Sequence, residues 1–358
     1  MWVADMNFKA PSYIPDAMVD RIKYPFFCYA APRDEHSDTI INWQQNGVEG
    51  LTREAIGYEG GVLGGVMSAS AAFTAAGDAV LVHSLAYIGF TGCLKRVGCR
   101  ITHLPLVRDS EGVWWMDCED MDRKLEEYKI HLMIFCSPQN PAERVWTTEE
   151  LEKAGEVFAK HHCIVLSDEI WSDLIMPGYH HISYQSINED AKMRCIALYS
   201  SSKPFSLVGL VGSRHTIYNP YPRDRIESVA EGTRYNKMDI LSRYALMGAY
   251  SGKGAEWIKG LVSVLSENVD MAGQYLRPYH IHVARPESIC LLFLDCSGYL
   301  KEHGITINKL IRAGWDVSVI WQDRRLLHPG NTIRMSLASP TARVEEAFSW
   351  LDKYVFTD

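Results

Sequence analysis

From about Ala55 to Ser213, short runs of apolar residues alternate with stretches in which apolar positions recur every three or four residues. That alternation predicts βα units packed into a largely parallel sheet. AVLVHS, HLMIFCS, CIVLSDE and RCIALYSSS read as strands, each close to a continuous apolar run, as a strand needs when helices cover both faces of its sheet. Between HLMIFCS and CIVLSDE lies TTEELEKAGEVFAKHH, where Thr147 and Glu150 have capping-box spacing and Leu151, Ala154, Val157 and Phe158 share a helical face. A helix there crosses over between parallel strands.

After Asp239 the pattern changes to long helical segments over roughly 240–276, then SICLLFLDC, a helix near 305–313, NTIRMSLAS and a last helix in PTARVEEAFSWLDKYV. The fold class is therefore α/β, with a large domain over 25–245. A smaller α+β domain takes 246–358 together with 1–24, where a helix starts near Pro15 but finds no local partner.

Composition narrows the setting. The chain has 358 residues and a formal net charge of −8, with no run of Lys and Arg that would track a phosphate backbone, so nucleic acid is not an expected partner. Nine cysteines, odd in number and set mostly in apolar segments, suit free buried thiols in a reducing cytoplasm better than disulfides. The apolar stretches are broken well short of a membrane span, and no membrane partner is expected.

In a parallel sheet, ligands bind at the carboxyl ends of strands, so the polar residues after each apolar run carry the functional information. IFC runs into Ser137, Pro138, Gln139, Asn140 and Pro141; IVLS into Asp168 and Glu169; ALY into Ser200 and Lys203; and Gly60 and Gly61 open GGVLGG. Each alone has an ordinary reading: a tight βα corner, an Asn-Pro turn, a helix-capping aspartate, a surface lysine. Together they set a helix N-terminus suited to phosphate, an amide, a carboxylate and an amine around one crevice. Pyridoxal 5'-phosphate has the matching parts: a phosphate, a ring nitrogen to be kept protonated, and an aldehyde. On this reading Lys203 holds the aldehyde as a Schiff base, Asp168 pairs with the ring nitrogen and Asn140 bonds the ring hydroxyl. Tyr87, after AVLVHS, either lies over the ring or packs in the core. A dinucleotide site fits less well, because VLVHSLAY offers His83 and Ser84 where the ribose-binding acid belongs. The pairs His161–His162 and His180–His181 lack a third donor at ligand spacing, and no metal is expected.

WVADMNF, SPQNPAERVWTTEEL, SDEIWSDLIMPGYHHISY and SSSKPFSLVGL resemble the fold-type I pyridoxal-phosphate enzymes of the aminotransferase class I/II superfamily, and more narrowly the MalY/PatB group of cystathionine β-lyases, or C–S lyases. The resemblance runs through essentially the whole chain and implies a large domain with a mostly parallel, seven-stranded-type sheet. It implies Lys203, Asp168, Asn140 and Tyr87 in the roles above, Gly61, Val62 and Ser200 at the phosphate, and Trp171 in the cofactor shell. It also implies Arg334, in TIRMSLASP, at the substrate α-carboxylate, Ala4 beside the substrate, and Tyr29 reaching the phosphate of a neighbouring subunit, hence a homodimer with shared sites. Strand alternation separately groups Arg334 with Thr332 and Ser336 on one face.

Several positions depart from the family pattern. Val211 stands where many aminotransferases carry a phosphate-clamping arginine, which tilts the resemblance toward the lyases. Trp171 stands where a tyrosine or histidine is usual, and Glu143 where glycine is usual in the NPxGR segment. Pro204 after the lysine and Asn7 for aspartate are further differences. The implied activity is an α,β-elimination on a small amino-acid substrate such as cystathionine or another S-substituted cysteine. The Lys203 amine takes the Cα proton, a thiolate leaves Cβ, and pyruvate and ammonia follow. Transamination needs the same lysine, aspartate and arginine and stays open as the alternative; a non-catalytic regulator on the same fold is a third reading.

Overall fold

The computed structural model describes residues 1, 5–27, 29–44, 50–110, 112–233, 237–323 and 330–356. Its main sheet comprises β1 (Ile56–Glu59), β2 (Ala79–Ser84), β3 (Arg100–Pro105), β4 (Leu132–Cys136), β5 (Ile164–Asp168), β6 (Cys195–Tyr199) and β7 (Ser213–Thr216). The seven strands are ordered β1-β7-β6-β5-β4-β2-β3, the mostly parallel sheet expected from the resemblance. β3, β2, β4, β5 and β6 pair in parallel, whereas β7 is antiparallel to both β6 and β1. Two reversals cancel, so β1 runs the same way as β6. The chain therefore leaves β1, β4, β5 and β6 on one edge of the sheet and enters β7 from that same edge.

The central strands are buried on both faces, which is why their sequences read as unbroken apolar runs. Leu132, Ile134, Leu166, Ile196 and Leu198 face one core with Val66, Ala69 and Phe90. Met133, Phe135, Val165 and Ala197 face the other with Leu151 and Phe158. The crossover helix Thr148–Lys160 carries the expected capping box, Thr147 accepting from the Glu150 N–H while the Glu150 side chain accepts from the Thr147 N–H, worth about 1 kcal/mol.

The four strands named from sequence are β2, β4, β5 and β6. β1 (IGYE) and β7 (SRHT) escaped that reading because they bury polar side chains instead of hydrocarbon: His215 Nδ1 lies 2.7 Å from Glu59 Oε1, and both are buried. Gly57 makes room for this pair, since a Cβ there would sit 2.0 Å from His215 Nε2.

A second, antiparallel sheet holds β8 (His282–Val283), β9 (Leu291–Asp295), β10 (Gln322–Asp323) and β11 (Thr332–Ser336) in the order β8-β9-β11-β10. Helices Gly252–Leu276, Ile307–Asp316 and Thr341–Tyr354 bury Leu265, Leu276, Leu310 and Phe348 against its Leu292 and Met335. The start of the chain runs beside this sheet: Ser336 N–H donates to the Met1 carbonyl at 2.9 Å and Asn7 N–H to the Ala338 carbonyl at 2.8 Å. Helix Tyr13–Ile22 instead shares a core of Ile14, Ile40, Phe205 and Leu246 with helix Ile240–Ala249. Trp114–Trp115 forms a short antiparallel hairpin with Val107–Arg108. Among the described residues, no helix is long and apolar enough to cross a membrane.

Candidate active site

A cavity of about 250 Å³ opens on the sheet edge where β1, β4, β5 and β6 end. Gly61, Val62, Tyr87, Asn140, Asp168, Trp171, Ser200 and Lys203 all line it. These residues come from five separate segments, brought to one edge by the shared strand direction derived above.

Gly61 precedes helix Val62–Phe73 with φ +81°, a conformation that costs any residue with a Cβ about 1–2 kcal/mol. A Cβ there would also approach Val211 Cγ1 to 3.3 Å. The N–H groups of Gly64 and Gly65 turn back to the Gly61 carbonyl, while Gly60, Gly61, Val62 and Leu63 line the cavity. The helix start thus presents the positive end of its dipole to whatever the cavity holds.

Asp168 closes β5, is 4% exposed, and accepts the Ile170 N–H at 3.0 Å. Burial pushes its carboxyl up to about 7; the Ile170 N–H and the charge of Lys203 pull the other way. A carboxyl so placed gains from a cation in the cavity. Lys203 lies four residues past β6 and its amine is moved down, chiefly by burial, with the charges of Asp5 and Asp168 opposing. Its Nζ lies 5.3 Å from the centre of the Trp171 ring. An amine made less basic in this way is a better nucleophile and base near neutrality.

Tyr87 starts helix Ile88–Arg96 with its ring half-buried and its hydroxyl raised by burial and by Asp168. Gly89 permits that pose: a Cβ there would meet Tyr87 Cε1 at 2.4 Å. Ser200 lines the cavity, yet its hydroxyl donates to the Gly212 carbonyl at 2.7 Å and lies 2.9 Å from Ser202 Oγ. That hydroxyl ties the lysine loop to the entry of β7.

Asn140 is 4% exposed, and its Oδ1 accepts from Arg334 Nη1 at 3.3 Å. This bond joins the cavity to β11 of the second sheet. Arg334 is itself buried, which lowers its basicity, while Glu143 opposes that shift. The loop carrying Asn140 is pinned by Arg144, which reaches Glu150 at 2.9 Å and Glu287 at 3.0 Å and also donates to the Trp114 carbonyl.

Tyr29 does not reach this cavity; it is fully exposed, near the partly exposed Tyr24, Phe26 and Phe27. Ala4 lies outside the described residues. Cys136, Ile170, Val208 and Leu210 also line the cavity, and sequence reasoning gave them no role. Their only signal was adjacency to strand ends or to the lysine, which side-chain type did not reinforce.

The donor set fits a group bearing an anion, a protonated ring nitrogen and an electrophilic carbonyl. The glycine-started helix suits the anion, the buried Asp168 needs a cation, and the Lys203 amine suits the carbonyl. Among the described residues no three His, Cys, Asp or Glu side chains gather as a metal site.

Residues 37–347 match the family "Aminotransferase class I and II". The chain is 32% identical over 303 residues to cystathionine beta-lyase PatB of Bacillus subtilis, covering 84% of this chain and 78% of that one. It is 25% identical to protein MalY of Escherichia coli, over 98% of this chain and 89% of that one. The structure of cystalysin from Treponema denticola, which contains a pyridoxal 5'-phosphate cofactor, superposes with a TM-score of 0.92 at 25% identity, over 99% of this chain and 90% of that one.

Proposed function

This chain belongs to the aminotransferase class I and II family, and on that footing we propose that it is a pyridoxal 5'-phosphate-dependent C–S β-lyase. It cleaves cystathionine or related S-substituted cysteines to pyruvate, ammonia and a thiol. The observation that carries the reading is the meeting of a buried carboxyl, a lysine of lowered basicity and a glycine-started helix N-terminus in one cavity. Its similarity to cystathionine beta-lyase PatB, and Val211 where many aminotransferases carry arginine, favour elimination over amino transfer.

When bound, the cofactor supplies an electrophilic carbon for the substrate amino group and a ring that accepts the electron density released at Cα. The protein's residues do the rest. The N–H groups at the start of helix Val62–Phe73 bind the phosphate. Asp168, desolvated and anionic, keeps a proton on the ring nitrogen. Arg334 orients the substrate carboxylate with a two-pronged guanidinium, and Asn140, bonded to Arg334, sets its position against the ring. The Lys203 amine takes the Cα proton; the electrons of that C–H bond form the Cα–Cβ double bond, and the thiolate departs from Cβ with the C–S pair. Trp171, buried beside the amine, keeps water from it. Water then converts the released enamine to pyruvate and ammonia.

The fully exposed Tyr29 and its aromatic neighbours support a homodimer in which Tyr29 reaches the partner's phosphate site. The eight described cysteines are free, seven of them buried, which supports a cytoplasmic setting. The test is an assay of the holoenzyme on L-cystathionine and S-alkyl cysteines, read for pyruvate and thiol. Equimolar release of both, lost in Lys203→Ala, is expected; keto-acid-dependent amino transfer without thiol would make the protein an aminotransferase.

A further inference from the structure

Glu143 is out of place in two ways. Its backbone has φ +60°, a left-handed conformation that suits glycine, and the residue is 3% exposed, where charge is costly. A chain that bears both penalties at one residue marks that residue for a role.

The surroundings say which. Glu143 lies three residues after Asn140 in a loop fixed from several directions. Gln139 donates to the Leu85 carbonyl at 2.7 Å and accepts the Ala142 N–H at 2.8 Å. The Glu143 N–H donates to the Gln139 carbonyl at 2.8 Å, and its own carbonyl accepts the Glu287 N–H at 3.0 Å. Glu143 Oε2 accepts the Leu291 N–H at 3.1 Å. Leu291 begins β9, where it pairs with Ser336, and two residues on Phe293 pairs with Arg334. Period-two alternation puts Arg334 and Ser336 on one face of β11. The loop thus brings the Asn140 amide onto the Arg334 guanidinium and a buried carboxylate to the adjoining strand. Glu143 is also the carboxylate that acts most on Arg334.

We propose that Glu143 is the internal counter-anion of Arg334 and sets how strongly the site prefers a substrate carboxylate over an uncharged group. The inference rests on the carboxylate-binding role given to Arg334 above. An arginine that already has a buried carboxylate at the adjoining strand gains less from a second one, so an incoming α-carboxylate is held more weakly than a lone arginine would hold it. The substrate class that follows is broader at this position: amides and esters of amino acids are tolerated beside the acids.

The test uses holoenzyme with L-alanine and L-alaninamide, which differ only in the charge at the position Arg334 faces and carry no Cβ leaving group. Dissociation constants are read from the cofactor's visible absorbance. Glu143→Gln keeps the shape and an oxygen for the Leu291 N–H but removes the charge. The variant is expected to bind alanine about tenfold more tightly, with alaninamide changed less than twofold, as for the weaker close charge pairs in double-mutant cycles. Glu143→Gly, which suits the left-handed backbone, provides the same reading should the amide variant fold poorly. An unchanged acid-to-amide ratio in a folded variant, or equal weakening of both probes, would overturn the proposal and leave Glu143 a loop anchor. Because neither probe can eliminate, that failure is separate from failure of the lyase reading, which shows only in the thiol assay. If neither probe perturbs wild-type holoenzyme, the role of Arg334 and this inference fall together.

Discussion

The amine of Lys203 lies 5.3 Å from the centre of the Trp171 indole, and that indole is 5% exposed within the core of the second sheet. One tryptophan therefore joins the packing of the second sheet to the environment of the lysine. Its ring N–H can donate a hydrogen bond but the ring cannot accept one, so Trp171 acts on Lys203 through its π face and by excluding water.

Replacing Trp171 separates packing from chemistry. Trp171→Ala should lower the unfolding free energy by about 3–5 kcal/mol, whereas Trp171→Phe should lower it by less than half as much. Urea denaturation of the cofactor-free protein checks this. Equal stability of the alanine variant and wild type would show that the indole does not belong to the core.

The carboxyl of Asp168 makes a prediction about pH. Burial raises it from its ordinary value of 3.8 to about 7 in the folded protein. Between those values the folded state holds a proton that the unfolded chain has released, so stability falls as pH rises. The loss for cofactor-free protein amounts to a few kcal/mol between about pH 4 and pH 7. Asp168→Asn should remove this slope, making the variant the more stable protein at pH 8 while its affinity for the cofactor drops at least tenfold. Denaturation at pH 5 and pH 8 measures the first effect and cofactor titration the second; a slope retained in the variant would assign it to another group.

Gly61 should tolerate no side chain. Gly61→Ala combines a left-handed backbone with a 3.3 Å approach to Val211 Cγ1, and is expected to cost about 1–2 kcal/mol and to weaken cofactor binding several-fold. Adding Val211→Ala relieves the contact but not the dihedral angle, so it should restore less than half of the loss. Full recovery in the double variant would show that crowding alone was responsible.

Arg334→Lys keeps the charge and loses the two-pronged geometry. A KM increase of about 10–100-fold for an S-alkyl cysteine, with kcat within about threefold, is the expected split for a residue that holds the carboxylate equally in ground and transition states. Steady-state kinetics decide it. A fall in kcat at constant KM would move Arg334 from binding to the chemical step.

The features of this protein whose physics is local can be read along its chain. Unbroken apolar runs marked β2, β4, β5 and β6, because a strand covered on both faces has no polar positions to show. Capping-box spacing marked the crossover helix, and the polar residues at strand ends singled out Asn140, Asp168 and Lys203. Tertiary structure alone decided the rest. β1 and β7 are invisible to a hydrophobicity pattern because the buried Glu59–His215 pair takes the place of hydrocarbon, and only their two reversals bring Gly61 to the edge that holds Asp168 and Lys203. The link between Asn140 and Arg334 spans 194 residues, a separation across which no local spacing carries information. Glu143 was legible only as a departure from a glycine position. Its meaning came from the fold, which sets a buried carboxylate beside the strand that carries the arginine.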